Sequence, residues 1–330
     1  MEKFNNCSKK LNKKSILLYV GFDFFKDWLG ISTDSYYIKP KVMVDCQLRF
    51  KKKFGNIIWI GPDYGSLIEL GCLGIEPQMK DWGLVFPAGL EKVGLQNLKK
   101  SNFFKIRQSK WMDLIWEYYK IAQPQLEEEY FFPVSITGPF QLACQLFGSK
   151  KIFQLVMSNY LELSLYLKYL TQYLISYIKE ICTLIKTFRI DLIICDDMVG
   201  YLGDSVFKDL VLPYLVELYA VVKPNNRIFH SDGTLQWIWK TICKEVDVLF
   251  SFDPSLDIDK IRQENKDIFL IGNIDPVKIM LEEKSEEIVK ISWEKIRAGG
   301  KNFALGLGGE LVSGTPEENI KVISYLQDEF

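Results

Sequence analysis

Arg227-Ile228-Phe229-His230-Ser231-Asp232-Gly233 reads as the end of a buried strand handing over to a turn. Arg227 to Phe229 has the apolar character of a strand's last rows, Ser231-Asp232-Gly233 turns the chain, and residues 235–242 follow with helical spacing. His230 is the only histidine in 330 residues, so any chemistry needing an imidazole near neutral pH has one candidate. Asp232 has two readings. Either it caps the following helix while His230 is a satisfied core residue, or the two, two residues apart at a strand end, share one site.

The same pattern, an apolar run and then a polar turn, recurs on both sides. Downstream, residues 247–251 end in Phe252-Asp253-Pro254, residues 268–271 in Gly272-Asn273-Ile274-Asp275-Pro276, and residues 302–305 in Gly306-Leu307-Gly308-Gly309-Glu310. Upstream, residues 15–20 end in Gly21-Phe22-Asp23, residues 57–60 in Gly61-Pro62-Asp63, residues 131–136 in Thr137-Gly138-Pro139-Phe140, and residues 191–195 in Asp196-Asp197. Helical patterns lie between most of them: after Pro40 up to residue 54, at 110–122, from 141 to 147, a long stretch over 157–188, at 205–222 with Pro213 inside, and at 277–281. A last helix opens with Thr315 as cap and Pro316 in its first position. Residues 66–130, broken by Gly71, Gly74, Pro77, Gly83 and Pro87, are an elaborated connection between the second and third strands.

Eight candidate strands alternating with helices, with no Asn-Gly hairpin signal between them, predict an α/β chain folded as one (β/α)8 TIM barrel over residues 1–330, its N-terminal part elaborated. Polar residues and glycines gather at the carboxyl ends of the strands, the face where barrel enzymes carry their sites. An open doubly wound sheet is the competitor, but no Gly-x-Gly-x-x-Gly opens a helix after the first strand.

Forty-one basic against 42 acidic residues leave a formal charge of -1, which supplies no general field for nucleic acid or an anionic membrane. Seven scattered cysteines without a C-x-x-C pair argue against a disulfide framework and for a reducing compartment. The basic segment 9–14 precedes an apolar run too short for a signal sequence, and no uncharged stretch reaches the ~18 residues of a membrane span. The expected location is cytoplasmic. The aromatic content of 14% suits a flat macrocycle at an apolar mouth, or ordinary core packing.

Taken together, Gly61-Pro-Asp-Tyr-Gly65, Thr137-Gly-Pro-Phe140, Asp196-Asp197, Leu212-Pro-Tyr214, His230-Ser-Asp-Gly233, Gly272-Asn-Ile-Asp-Pro276 and Thr315-Pro-Glu-Glu-Asn319 resemble the uroporphyrinogen decarboxylase superfamily. That group includes the decarboxylase of haem biosynthesis and the methyltransferases acting on methylated corrinoids. The resemblance implies the barrel, with His230, Asp232, Asp196, Asn273, Asp275 and Asp63 as catalytic candidates and Thr137, Gly138, Pro139, Asp197 and Gly272 against the cofactor. The decarboxylase resembles a protein with an arginine-rich stretch after its first strand; here Gly21-Phe-Asp-Phe-Phe-Lys-Asp27 has one lysine. The corrinoid methyltransferases resemble the first half better, but their zinc site uses His-x-Cys and a late cysteine, where this chain has His230, Asp232 and Gly309 next to Glu310. The expectation is a corrinoid-linked methyltransferase, with His230, Asp232 and Glu310 either binding a divalent metal, zinc first, or acting as acid and base. A small methyl donor or acceptor and a corrinoid, free or on a partner protein, would be its partners. A tetrapyrrole decarboxylase and a non-catalytic ligand-binding barrel are the alternatives.

Overall fold

Each apolar run between polar turns becomes one parallel strand, because alternate side chains are buried on both faces of the sheet. In the computed structural model residues 15–55, 57–81, 83–85, 103–125, 133–186 and 190–327 are described. The strands are β1 (Ser15–Ile16), β2 (Gln78–Lys80), β3 (Gly83–Val85), β4 (Pro133–Thr137), β5 (Asp191–Cys195), β6 (Asn226–Ser231), β7 (Val248–Phe252), β8 (Phe269–Ile274) and β9 (Phe303–Leu307). Seven of them form one sheet in the order β1-β9-β8-β7-β6-β5-β4, parallel throughout. An eighth segment joins its other edge: Leu18 N–H donates to Ile57 O (2.7 Å) and Trp59 N–H donates to Leu18 O (2.9 Å), a parallel bridge.

The sheet is rolled. In a flat sheet of this order Trp59 and Phe250 would stand four strand spacings apart, about 19 Å, yet their rings meet with centroids 4.8 Å apart. The inward faces form their own small core of Ile193, Ile228, Val248, Phe250, Phe269, Ile271 and Ala304, against which Leu17, Tyr19, Trp59 and Cys195 pack. The alternate residues, such as Leu192, Phe229, Leu249, Leu270 and Leu305, belong to a larger core beneath the outer helices. This two-core arrangement is that of the expected α/β barrel. At the free edge of the sheet the end of β4 is tied to the helix Leu67–Cys72, where Thr137 N–H donates to Glu69 Oε1 (2.9 Å).

The helices depart from sequence expectation where tertiary groups compete for backbone. The elaborated connection holds the expected helix Lys110–Ala122, a short helix Leu67–Cys72, and the antiparallel pair β2–β3, a hairpin that no Asn-Gly announced. The long helix expected over 157–188 is Tyr160–Leu184, and an additional helix, Ser149–Ser158, precedes it; Asn159 caps the long one, its side chain accepting from Glu162 N–H (3.1 Å). Pro213 leaves a π turn, Phe207–Val211, before the helix Leu212–Val222, since proline has no N–H to continue the ladder. Residues 277–281 are turn, anchored by the Asp275 carboxylate accepting from Val277 and Lys278 N–H. Thr315 donates its hydroxyl to Val312 O, and Pro316 becomes the cap of Glu317–Leu326. The basic segment 9–14, Phe131 and Phe188 lie outside the described residues.

At the opposite end of the barrel Arg262 donates to three carbonyls, Gly299 O (2.8 Å), Ile268 O (2.7 Å) and Asn302 O (2.5 Å), tying the starts of β8 and β9 to the end of helix Ser285–Gly299. Arg262→Ala leaves these acceptors without that donor and is expected to cost about 2 kcal/mol, discounted because the guanidinium is partly exposed. Denaturant unfolding of the two proteins measures this; a difference below about 0.5 kcal/mol would show water replacing the arginine.

Candidate functional site

Rolling the sheet gathers the strand ends around a cavity of about 400 Å³. His230, at the end of β6, is 7% exposed. Its Nδ1 lies 3.1 Å from Phe250 O and its Nε2 3.2 Å from Asp232 Oδ1. Both neighbours are acceptors, so both ring nitrogens carry hydrogen and the ring is an imidazolium. Burial opposes that charge, but the charge and hydrogen bond of Asp232, with Asp197 and the Phe250 carbonyl, outweigh it and raise the pKa to about 9. Asp232 is held in turn: its N–H donates to Asp197 Oδ1 (2.8 Å), and Asp197 N–H donates to Gln141 Oε1 (2.6 Å). Asp232 caps no helix; the next one, Trp239–Glu245, starts later than its apolar spacing suggests, because Leu235 N–H donates instead to the Asp253 carboxylate (2.9 Å).

Because His230 is the only histidine, its ring signals in a proton NMR titration are unambiguous. Their midpoint is expected near pH 9, and lower in Asp232→Asn. The sign for stability follows: the folded pKa lies above the unfolded value of about 6.5, so the stabilising contribution is full below that value and is lost as pH rises through about 9. A midpoint at the ordinary histidine value would break the His230–Asp232 assignment.

Across the cavity Asp63 and Glu310 lie together against Gly21, where a Cβ would stand 2.2 Å from Glu310 Oε2 and 3.1 Å from Asp63 Oδ2; only glycine leaves room for both. Asp63 accepts from Tyr19 OH (2.9 Å), Tyr36 OH (2.8 Å) and Phe22 N–H (3.2 Å). Burial raises its pKa and these three donors oppose the rise. Glu310 is raised to about 8, first by burial and then by the charges of Asp63, Asp232 and Asp23. Burial pushes both carboxyls towards the protonated form; the donors aimed at Asp63 oppose this, while the charge of Asp63 adds to the rise at Glu310, which holds its proton near neutral pH.

Six of the sequence candidates therefore meet in one cavity: Asp63, Thr137, Asp197, His230, Asp232 and Glu310. The others do not line it. Asp196 is fully buried and accepts from Phe140 N–H (3.1 Å) and Gln141 N–H (3.0 Å), holding the first turn of Pro139–Phe147. Gly138 is the residue that lets it approach, since a Cβ there would stand 2.3 Å from Asp196 Oδ2, and Pro139 starts that helix. Asn273 gives its amide hydrogens to Asp253 O (2.9 Å) and Leu256 O (3.0 Å) and accepts from Lys295 Nζ (2.7 Å). Gly272, at φ 155°, packs against Phe252, and Asp275 anchors its own turn. Among the described residues no three His, Cys, Asp or Glu side chains form a metal-binding group, and the His230 nitrogens face Asp232 and the Phe250 carbonyl.

Sequence reasoning missed Glu69, Tyr19, Trp59, Cys195 and Gln141, all on the cavity wall. Glu69 is buried and raised to about 7 by that burial, with Thr137 N–H opposing. A single acid inside the apolar run Leu67–Leu70 was its signal, and period-two alternation from Leu17 pointed to Tyr19.

Known proteins were compared with this chain. It is 27% identical over 135 residues to a uroporphyrinogen decarboxylase of Rickettsia felis, a match covering 39% of the chain and only 38% of that relative's length. It is 23% identical over 283 residues to the uroporphyrinogen decarboxylase of Rickettsia massiliae, covering 79% of the chain and 78% of the relative. Among solved structures, a methyltransferase from Methanosarcina mazei superposes with a TM-score of 0.81 over 99% of this chain and 98% of that one, at 17% identity, which establishes the shared fold. No helix among the described residues is long and apolar enough to cross a membrane. The family model described as uroporphyrinogen decarboxylase (URO-D) matches residues 26–329, and the chain belongs to that family.

Proposed function

We propose that this protein is a corrinoid-linked methyltransferase, which holds a small methyl donor in the cavity and passes the methyl group to a corrinoid carried by a partner protein at its mouth. The observation supporting this is Glu310, a carboxyl kept protonated near neutral pH by burial and by Asp63, on the wall of a cavity that also holds an imidazolium. When a methyl–heteroatom bond breaks, the electron pair stays on the heteroatom. A positioned acid that protonates it contributes typically ~10²–10⁴-fold in rate. Glu310 is that acid, Asp63 keeps the proton on it, and the Asp197–Asp232–His230 chain fixes a positive charge on the other wall. At about 400 Å³ the cavity suits a small molecule, while a macrocycle belongs over the mouth. Among the described residues no three ligands converge for the expected zinc, so no step is assigned to a metal.

The second reading, decarboxylation of a carboxylated tetrapyrrole, is favoured by the names of the Rickettsia relatives. Against it, no lysine or arginine occurs among the described residues lining the cavity, and the helix Phe22–Leu29 after the first strand brings none there. Titration of the purified protein with cobalamin reduced to the Co(I) state, followed by visible absorbance with a methylated thiol, phenol or amine as donor, separates the two. Saturable binding with donor-dependent formation of methylcobalamin is the expected result. No corrinoid binding, together with carbon dioxide release from a carboxylated porphyrinogen, would transfer the assignment to the decarboxylase.

A further inference from the structure

We propose that the small substrate held in this cavity is an organic cation, a methylated ammonium compound. The inference rests on the methyltransfer reading for its chemistry, but its evidence is the chemistry of the wall.

Five carboxyl groups line the cavity, Asp63, Glu69, Asp197, Asp232 and Glu310, and His230 is the only basic side chain among the described lining residues. The charge of His230 is matched by Asp232. Asp63 is in a different position. It is 8% exposed, and its three hydrogen-bond donors, two tyrosine hydroxyls and one backbone N–H, are all neutral. Ionising a carboxyl buried like this is costly without an opposite charge, and a cationic ligand in the adjoining space would supply that charge.

The aromatic side chains give the second, independent observation. Tyr19, Tyr37 and Trp59 line the cavity and keep part of their surface open, while Phe250 backs Trp59 at 4.8 Å between centroids and stands 6.4 Å from Tyr19. Aromatic rings beside carboxylates are how proteins recognise alkylated ammonium ions, whose charge is diffuse and whose surface is apolar. An inorganic cation would need converging oxygen ligands, and among the described residues no such group forms. A polycarboxylate would face a wall with five carboxyl groups and one basic side chain, already paired with Asp232.

The transfer step balances. The carbon–nitrogen bond breaks with its electron pair left on nitrogen as a neutral amine, while the methyl group would form a carbon–cobalt bond with the electron pair of a co-substrate corrinoid supplied in the reduced Co(I) state, formally Co(III) once methylated. The Glu310 proton then moves to that lone pair, and the product leaves as an ammonium ion from beside a carboxylate.

Choline and its uncharged carbon analogue 3,3-dimethyl-1-butanol have nearly the same shape, so calorimetric titration with both isolates the charge. Choline is expected to bind at least tenfold more tightly, with Asp63→Asn abolishing that preference and Trp59→Leu weakening choline by a similar factor. Circular dichroism confirms that each variant is folded, and the wild-type comparison stands without them. Equal or tighter binding of the alcohol, or displacement of choline by a carboxylated porphyrin that binds more tightly, overturns the proposal. The two readings fail separately: methyl transfer from an uncharged methoxy donor with no preference for choline removes the cation and keeps the methyltransferase. A choline preference without corrinoid-dependent turnover does the reverse.

Discussion

Glu310→Gln is expected to lower the rate of methyl transfer by ~10²–10³-fold and to leave the fold intact, because glutamine keeps the shape of the side chain and removes only its proton. The pH profile carries the same information. The active form holds the proton on Glu310, so the wild-type rate should fall as pH rises through about 8. Asp63 is the second cause of the raised value after burial, so Asp63→Asn should move that fall to lower pH without removing it, since burial persists. Stopped-flow absorbance of the corrinoid across pH 6–10 records both effects. An undiminished rate in Glu310→Gln, or a wild-type profile flat through pH 9, would remove Glu310 from the chemistry.

Asp196→Ala is expected to destabilise the protein by about 3 kcal/mol while each molecule that remains folded keeps its turnover. The carboxylate is fully buried and satisfies Phe140 and Gln141 N–H at the start of Pro139–Phe147. Alanine leaves the buried Phe140 N–H and the part-buried Gln141 N–H without that partner. Asp196→Asn keeps an acceptor and should lose less. Chemical denaturation alongside turnover per folded molecule distinguishes a scaffold role from a chemical one. Unchanged stability with lost turnover would place Asp196 in the reaction itself.

The contrast between Asp196 and Asp197 shows where local sequence stops being informative. Both follow β5 and both are acidic, yet one turns to the helix Pro139–Phe147 and the other to the cavity, where it accepts from Asp232 N–H. Nothing in the dipeptide separates them; the position of Gly138, which makes room for the Asp196 carboxylate, does. Asn273 is similar. Its place in β8 puts it at the same end of the barrel as His230, but Asp253 O, Leu256 O and Lys295 Nζ occupy its amide. Helix starts follow the same logic, since Leu235 N–H found the Asp253 carboxylate.

The sequence by itself determined the alternation of strand and helix, the end of the barrel that carries the polar residues, and the pairing of His230 with Asp232. Each of these is set by neighbours two to four residues apart, within the repeat of a strand or helix. Tertiary structure alone decided which acids face the cavity and which state each one holds. Asp63 and Glu310 lie far apart in the chain and meet only because the sheet rolls. The raised pKa values of Glu310 and His230 arise because burial strengthens charge–charge interactions that water would screen, and burial belongs to the whole fold and to no single stretch of it.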